Sequence, residues 1–316
     1  MEVDDGISPG YLEIPARNSS MHGLEGGERM ALQGEMRLVI WDVQHGACAM
    51  LQHILGQYAG RLAMIDSGSA SDWRPSTYIT QSLGRNRLDY LFITNADQDH
   101  MSDLQGLWNA DIYTPVLFRN PSYTGEQMRQ IKRQSGPLTA DAERYVSACS
   151  TFNLPVEEPF DLHMGGITAT LFWNPYPAFT DTNNLSLVIF IKYANFKILF
   201  PGDLEKAGWR ALLQRADFRA ELVGTDILVA SHHGRENGYC EDIFDYFTPS
   251  AVVISDKPIE HETQQTVPDY RRVVRDQGVR VRTTMKDRHV LTTRRDGWIQ
   301  FTVNHDNYTI MTEYMG

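Results

Sequence analysis

The segment LFITNADQDHMSDLQGL (Leu91–Leu107) is the most informative part of the sequence. An apolar stretch typical of a buried strand runs directly into four polar residues, Asn95, Asp97, Asp99 and His100. Alternate residues at a strand end point to the same side, so the three oxygen-bearing side chains can converge while the imidazole approaches from the adjacent position. A lone Asp99 would indicate only a helix N-cap. The whole set, packed this tightly, favours a metal cation instead.

Two further segments repeat the pattern of an apolar strand that ends in residues able to bind a metal. KILFPGD (Lys197–Asp203) ends in Asp203, and DILVASHHG (Asp226–Gly234) brings His232 and His233 to the end of its strand. Either segment alone is typical of a turn or of a hydrogen-bonded histidine. The three segments together supply enough Asp and His side chains to hold one or two metal ions.

The distribution of apolar stretches predicts an α/β protein. Strand-like segments with helical segments between them occur twice along the chain, which predicts two sheets packed face to face with helices outside, a single αββα four-layer sandwich. Residues 1–34 are rich in Gly, Ser and Glu and lack periodicity, so we expect a disordered or loosely attached tail. Residues 35–316 then form the domain, with a helical insertion expected around residues 120–155.

The composition restricts where the protein acts and what it binds. The 316 residues carry a formal net charge of −11, which is unfavourable for a protein that holds long nucleic acid by overall charge. No apolar run approaches the ~20 residues needed to cross a bilayer. Three widely spaced cysteines make no disulfide framework, so we expect a cytoplasmic protein without a membrane partner. Residues 261–300 have a local net charge of +4, which we interpret as a solvated helix face.

The order of the motifs resembles the metallo-β-lactamase superfamily, and more narrowly the stand-alone relatives of the hydrolase (nuclease) domain of ComEC/Rec2 DNA-uptake proteins. The resemblance runs from about Met36 to Phe301 and is carried by the motifs DVQHG, IDSG, NADQDH, NNLSLV, FPGD and SHHG. Asn95 stands where the superfamily motif HxHxDH has its first histidine. The pair of Ser255 and His261 is similar to a later segment of the ComEC-like branch.

The resemblance implies a metal centre at one edge of the sandwich, between the two sheets. It assigns the better-preserved metal site to Asp99, His100, Asp203 and one of His232 and His233. It assigns a second site to Asn95 and Asp97, with His261 as a further ligand. Because an amide oxygen replaces an imidazole at position 95, the expected cofactors are one or two divalent ions, Zn²⁺ or Mn²⁺, with Mg²⁺ as another candidate.

The resemblance also implies roles around the metals. A metal-bound hydroxide would attack the substrate, with Asp97 or Asp203 carrying protons and His261 or His45 protonating the leaving group. Lys257 and Arg235 are candidates to bind the oxygens of a phosphate at the mouth of the site, with His45 nearby. The Asp66 side chain of the IDSG motif is expected to order the metal loop through hydrogen bonds.

The leading functional hypothesis is therefore a metal-dependent hydrolase, a phosphodiesterase or nuclease that acts on DNA or another nucleic acid. The net charge of −11 keeps open a hydrolase of a small phosphate ester or nucleotide. A third hypothesis, from a different class, is a catalytically impaired binding module with a protein partner, because Asn95 departs from the motif.

Overall fold

Two β-sheets form the centre of the chain in the computed structural model, which describes residues 34–154, 159–257 and 265–314. These residues belong to one compact unit, Leu32–Gly316. The expected tail lies outside the described residues except for Gly34, and so does His261. Within the described ranges, no helix is long and apolar enough to cross a membrane.

The first sheet has nine strands in the order β12-β11-β15-β14-β1-β2-β3-β4-β5 among the described residues. Its strands are β1 (Glu35–Ile40), β2 (Ala49–Leu55), β3 (Tyr58–Ile65), β4 (Tyr90–Phe92), β5 (Leu117–Phe118), β11 (Val279–Val281), β12 (Lys286–Arg288), β14 (Ile299–Val303) and β15 (Tyr308–Thr312). β3, β4 and β5 are parallel to one another, so their carboxyl ends share one edge of the sheet.

The second sheet has six strands in the order β13-β10-β9-β8-β7-β6. Its strands are β6 (Thr168–Trp173), β7 (Leu187–Tyr193), β8 (Phe196–Phe200), β9 (Ile227–Val229), β10 (Ala251–Ile254) and β13 (Val290–Thr292). β8, β9, β10 and β13 are parallel neighbours, and their carboxyl ends therefore also share one edge.

Helices cover the outer faces of both sheets. Those packed in the apolar cluster outside the first sheet are α2 (Gln98–Met101), α3 (Leu104–Asn109), α4 (Gly125–Arg133) and α5 (Ala140–Thr151), and the short α1 (Pro75–Thr77) contacts α3. Those outside the second sheet are α6 (Lys206–Leu212), α7 (Ala216–Leu222) and α8 (Val267–Arg272), while α9 (Thr293–Asp296) is a short turn directly after β13. The stretch for which an insertion was expected contains α4 and α5.

Side-chain alternation along the strands produces the layers. In β2 and β3, Leu51 and Ala63 face the core between the sheets, while their neighbours Met50 and Leu62 face the helices outside. The inter-sheet core also contains Ile198 of β8, and the outer face of the same sheet packs against helices in a separate apolar cluster. Helices, two facing sheets and helices form four layers, so the predicted αββα sandwich of a single domain is confirmed.

We expect the inter-sheet core to dominate stability. Ile198 is fully buried in it, so Ile198→Ala should lower the free energy of unfolding by about 2–5 kcal/mol through reduced burial and the cavity left behind. Urea denaturation measures this change. Met311→Ala is the control, since Met311 is 41% exposed and its truncation should change stability by no more than about 0.5 kcal/mol. Equal losses in both variants would contradict the assignment of the core.

Candidate metal centre

The carboxyl ends of strands from both sheets meet at one place. β4 leads through a short loop into α2, which carries Asp99 and His100, while β8 leads to Asp203 and β9 to His233. One potential ligand atom from each of these four residues lies within 4.8 Å of all the others. His100, Asp203 and His233 are buried and Asp99 is half-buried, so the cluster opens to solvent on the side of Asp99.

The His100 ring is held by hydrogen bonds on both of its nitrogens. Nδ1 lies 2.9 Å from Asp66 Oδ2, and Nε2 lies 2.9 Å from Asp203 Oδ1. Asp66 in turn accepts hydrogen bonds from the backbone N–H and the hydroxyl of Thr94, at 2.7 and 2.6 Å. A carboxylate behind the distal nitrogen is the arrangement that orients a metal-binding imidazole, which is the ordering role expected of Asp66.

The His233 ring is held on one nitrogen only. Its Nδ1 donates to the carbonyl oxygen of Ser255 at 2.9 Å, which leaves the Nε2 lone pair directed into the cluster. Nε2 is buried, has no hydrogen bond in the described structure, and lies 3.2 Å from Asp99 Oδ2 and 3.5 Å from Asp203 Oδ1. A buried nitrogen that lies close to two carboxylates and makes no hydrogen bond fits a metal ligand.

The backbone conformation determines which of the two adjacent histidines points into the cluster. His232 and His233 both have positive φ, 51° and 52°, a left-handed conformation that is costly for residues other than glycine. This turn directs His233 into the cluster. His232 lines the cleft outside it, with Nε2 4.0 Å from Asp203 Oδ2 and Nδ1 3.7 Å from Glu205 Oε1.

The donor set fits a divalent cation. Two imidazole nitrogens and two carboxylates suit zinc, and equally iron or manganese, because imidazole binds all three and carboxylates favour the harder ions. Both imidazoles present a nitrogen whose opposite ring atom is already fixed by Asp66 or by the Ser255 carbonyl. A candidate metal site therefore exists, and its donors do not select one metal.

The charges of the four residues depend on one another. Burial alone would raise the pKa of Asp99, but His233, His100 and His45 outweigh it and lower that pKa. Burial alone would likewise raise the pKa of Asp203, and the charges of His100 and His233 lower it to about 2. In the opposite direction, burial would lower the pKa of His100, yet Asp203 and Asp66 raise it well above its ordinary value. Without a cation, protons on the histidines balance the carboxylates.

Asp97 is not among the four residues of the cluster, and both Asn95 and Asp97 make other contacts, so their assignment to a second metal site stays a prediction. The Asp97 carboxylate accepts from Lys132 Nζ at 2.7 Å and from the Thr182 hydroxyl at 2.8 Å. Asn95 is buried, its Oδ1 accepts from the Asp97 backbone N–H at 2.8 Å, and its Nδ2 donates to Asn183 at 3.1 Å. Both side chains are thus used in holding the loop between β4 and α2.

An open cleft of about 590 Å³ lies over the cluster. Asp99 and Asp203 are at its floor, and His45, His232 and Arg235 are among the other lining residues. His45 Nε2 lies 3.3 Å from Asp99 Oδ2, and burial, with a smaller contribution from the charge of His233, lowers the pKa of His45. The cleft is large enough for a small molecule or for one or two units of a polymer.

Arg235 and Lys257, the residues expected to bind phosphate oxygens, lie close to this cleft. Arg235 Nη1 is 3.4 Å from His232 Nε2, and the charges of Arg235 and Lys257 add to the effects that lower the pKa of His45. Lys132 was missed in the sequence, because it lies on α4, 35 positions after its partner Asp97, and no spacing signal joins them.

Comparisons with known proteins give only distant similarities. No family model and no curated protein matches the chain. Zn(2+)-bound PqqB from Methylobacterium extorquens is 12% identical with a TM-score of 0.44, over 85% of this chain and 99% of that one. A metal-dependent hydrolase, so named in its description, from Parabacteroides distasonis is 12% identical with a TM-score of 0.42, over 81% and 93%. CmlA, a diiron β-hydroxylase from Streptomyces venezuelae, is 15% identical with a TM-score of 0.40, over 71% of this chain and 45% of CmlA.

The chain thus spans less than half the length of CmlA. All three similarities are weak.

Asp66→Asn tests whether Asp66 orients His100. Asparagine tolerates the positive φ of 60° at this position and keeps the shape of the side chain, but it removes the charge behind Nδ1. We expect the affinity for Mn²⁺ or Zn²⁺ to fall about 10- to 100-fold while the fold is retained, as measured by isothermal titration calorimetry with circular dichroism as a check. Asp306→Asn, at an exposed turn, is the matched control. Unchanged affinity in Asp66→Asn would refute the role.

Metal binding should weaken as the pH falls. The raised pKa values of His100 and His233 mean that the metal-free cluster holds protons near neutral pH, and a cation must displace them. The dissociation constant for Mn²⁺ should therefore increase between pH 8 and pH 6, by up to about tenfold per pH unit for each proton displaced. Titration calorimetry in buffers of different ionisation enthalpy measures the released protons. A dissociation constant independent of pH would contradict this arrangement of charges.

Proposed function

We propose that this chain is a metal-dependent hydrolase that cleaves a phosphodiester, with nucleic acid as the leading substrate class. The observation that carries the proposal is the cluster of Asp99, His100, Asp203 and His233, of which Asp99 and Asp203 line an open cleft. Buried ligands with fixed ring orientations and one side open to solvent are typical of catalytic metal sites rather than of closed structural ones.

A single metal ion is the arrangement that the side chains favour. Lys132 places an ammonium group 2.7 Å from Asp97, so that carboxylate is already neutralised and a second divalent ion beside it would be repelled. The amide of Asn95 is likewise used in local hydrogen bonds. We therefore propose that the chain binds one cation, through His100, His233, Asp99 and Asp203.

Side chains around the cleft supply phosphate binding and proton transfer. When bound, the cation lowers the pKa of a water molecule and polarises an oxygen of the substrate. Arg235, at the cleft wall, supplies a guanidinium group for a non-bridging phosphate oxygen, and Lys257 adds positive charge beside His45. His45 lines the cleft and is neutral near pH 7 because its pKa is lowered, so we assign its imidazole to accept a proton.

Superfamily membership belongs to the same proposal. The four-layer fold and the positions of Asp99, His100, Asp203 and His233 support the metallo-β-lactamase superfamily, and the ComEC-like branch is supported by the sequence motifs alone. A small phosphate ester or nucleotide is the second candidate substrate. It is favoured by the net charge of −11, which weakens long-range attraction of a polyanion.

Ligand substitution is the direct test. Purified protein should contain about one equivalent of metal by elemental analysis and should hydrolyse bis(p-nitrophenyl) phosphate when Mn²⁺, Zn²⁺ or Mg²⁺ is supplied separately. The Nε2 atom of His233 makes no hydrogen bond among the described residues and is therefore available as a metal ligand. Because His233→Asn removes this atom, it should lower kcat/KM at least about 100-fold and reduce the bound metal. His163→Asn is the matched control, since His163 is exposed and lies outside the cluster.

The same assay ranks the substrates. Cleavage of single-stranded DNA or RNA with a lower KM than bis(p-nitrophenyl) phosphate supports a nuclease, whereas cleavage of nucleotides alone supports the small-ester alternative. Hydrolysis that survives in His233→Asn would overturn the assignment of the site. Absence of both bound metal and hydrolysis under every cation would overturn the enzyme and favour a binding module.

A further inference from the structure

A basic pocket of about 340 Å³ lies along β13, the outermost strand of the second sheet, between α8 and α9. Its charged and polar lining includes Arg271, Arg288, His289, Arg294, Arg295 and Asp287. Four of the nine Lys and Arg residues between positions 261 and 300 therefore line one concave surface that several elements contribute, rather than the face of a single helix.

Two of the four arginines already have carboxylate partners. Arg288 makes a bidentate ion pair with the buried Asp296 at 2.9 and 3.1 Å, and Arg294 pairs with Asp256. These partners fix the two guanidinium groups in place, so little side-chain entropy would be lost when a ligand binds them.

The other two arginines have no such partners. Arg271 and Arg295 are exposed and make no ion pair or side-chain hydrogen bond within the part of the chain that the structure describes. The one carboxylate that lines the pocket, Asp287, is engaged by Arg280 at 2.7 Å. The pocket thus has two uncompensated positive charges in a concave site, where the field on an anion is strongest.

The pocket shares a sheet with the candidate metal centre. β8, β9, β10 and β13 are parallel neighbours, and their carboxyl ends lead to Asp203, His233, Ser255 and the α9 turn with Arg294. Neighbouring strands are about 4.8 Å apart, so the β13 end lies about 10 Å from the β9 end along the same edge. A chain of contacts joins the two places, because Ser255 accepts from His233 and the adjacent Asp256 pairs with Arg294.

We infer that this pocket binds backbone phosphate of a nucleic-acid strand at a position beyond the bond that is cut. The inference rests on the proposed function in one respect, that the strand in the pocket is the substrate of the metal centre. Guanidinium groups bind phosphate oxygens in a fork, and phosphate contacts position a strand without reading its sequence. A pocket of this volume has room for one phosphate with its sugar. The ligand class is an oligonucleotide because the same strand has to reach the metal centre.

The double variant Arg271→Gln/Arg295→Gln tests the inference. Binding of a fluorescein-labelled twelve-nucleotide oligo(dT) is measured by anisotropy on the full-length chain, with EDTA present so that the strand is not cut. We expect the affinity to fall at least about tenfold, and the slope of log Kd against log salt concentration to decrease by about 0.7, the contribution of the one phosphate that is no longer neutralised. In Mn²⁺, KM for the oligonucleotide should rise while kcat/KM for bis(p-nitrophenyl) phosphate stays unchanged.

Arg272→Gln is the matched control, because Arg272 is the next residue of α8, carries the same charge and pairs with Asp269 outside the pocket. Equal weakening by Arg272→Gln and by each single pocket variant would show a nonspecific charge effect and overturn the inference. Absence of oligonucleotide binding by the wild-type chain at low salt would also overturn it. Loss of oligonucleotide binding in the double variant, together with no hydrolysis by the wild-type chain, would refute the proposed hydrolase but support the pocket.

Discussion

One buried imidazole between two carboxylates connects the two halves of the sandwich. Asp66 follows β3 of the first sheet, Asp203 follows β8 of the second, and His100 bonds to both at 2.9 Å. All three side chains are almost fully buried, so two negative charges next to each other would be strongly unfavourable without a compensating cation. Either a proton on His100 or a divalent ion beside Asp203 satisfies this constraint, and for this reason we expect metal binding at the candidate site to depend on pH.

The loops around this imidazole are built to approach it closely. The backbone N–H of Ser67 donates to the His100 carbonyl oxygen at 2.8 Å, and that of Ala47 donates to the Asp99 carbonyl oxygen at 3.2 Å. A Cβ atom on Gly68 would lie 2.6 Å from the same Asp99 oxygen, so only glycine fits at that position. The motifs DVQHG and IDSG are thus packing surfaces for the turn that carries Asp99 and His100, which gives a physical reason for their glycines.

The sequence was sufficient for the parts of the structure that depend on local pattern. Apolar stretches ending in Asp or His located the strand ends of the site, and the alternation of the two halves predicted both sheets. Two features lay beyond it. Which of His232 and His233 points into the cluster depends on two successive residues in the left-handed conformation. Whether Asp97 is available to a metal depends on its ion pair with Lys132, which lies on a helix distant in sequence. Neither a backbone conformation of this kind nor a long-range ion pair leaves a signal in residue spacing.

The net charge of −11 is a weaker argument against a polyanionic substrate than it first suggests. Charges on a protein surface are screened within about 8 Å at physiological ionic strength, so a phosphate responds mainly to the groups nearest to it. Around β13 those groups are four guanidinium groups, two of which are paired with carboxylates and two of which are not, and the carboxylate of Asp287, which pairs with Arg280. The acidic residues elsewhere reduce attraction at long range and thereby slow association, but they do not set the affinity at a concave basic surface. Overall charge and local recognition are therefore separate properties of this chain.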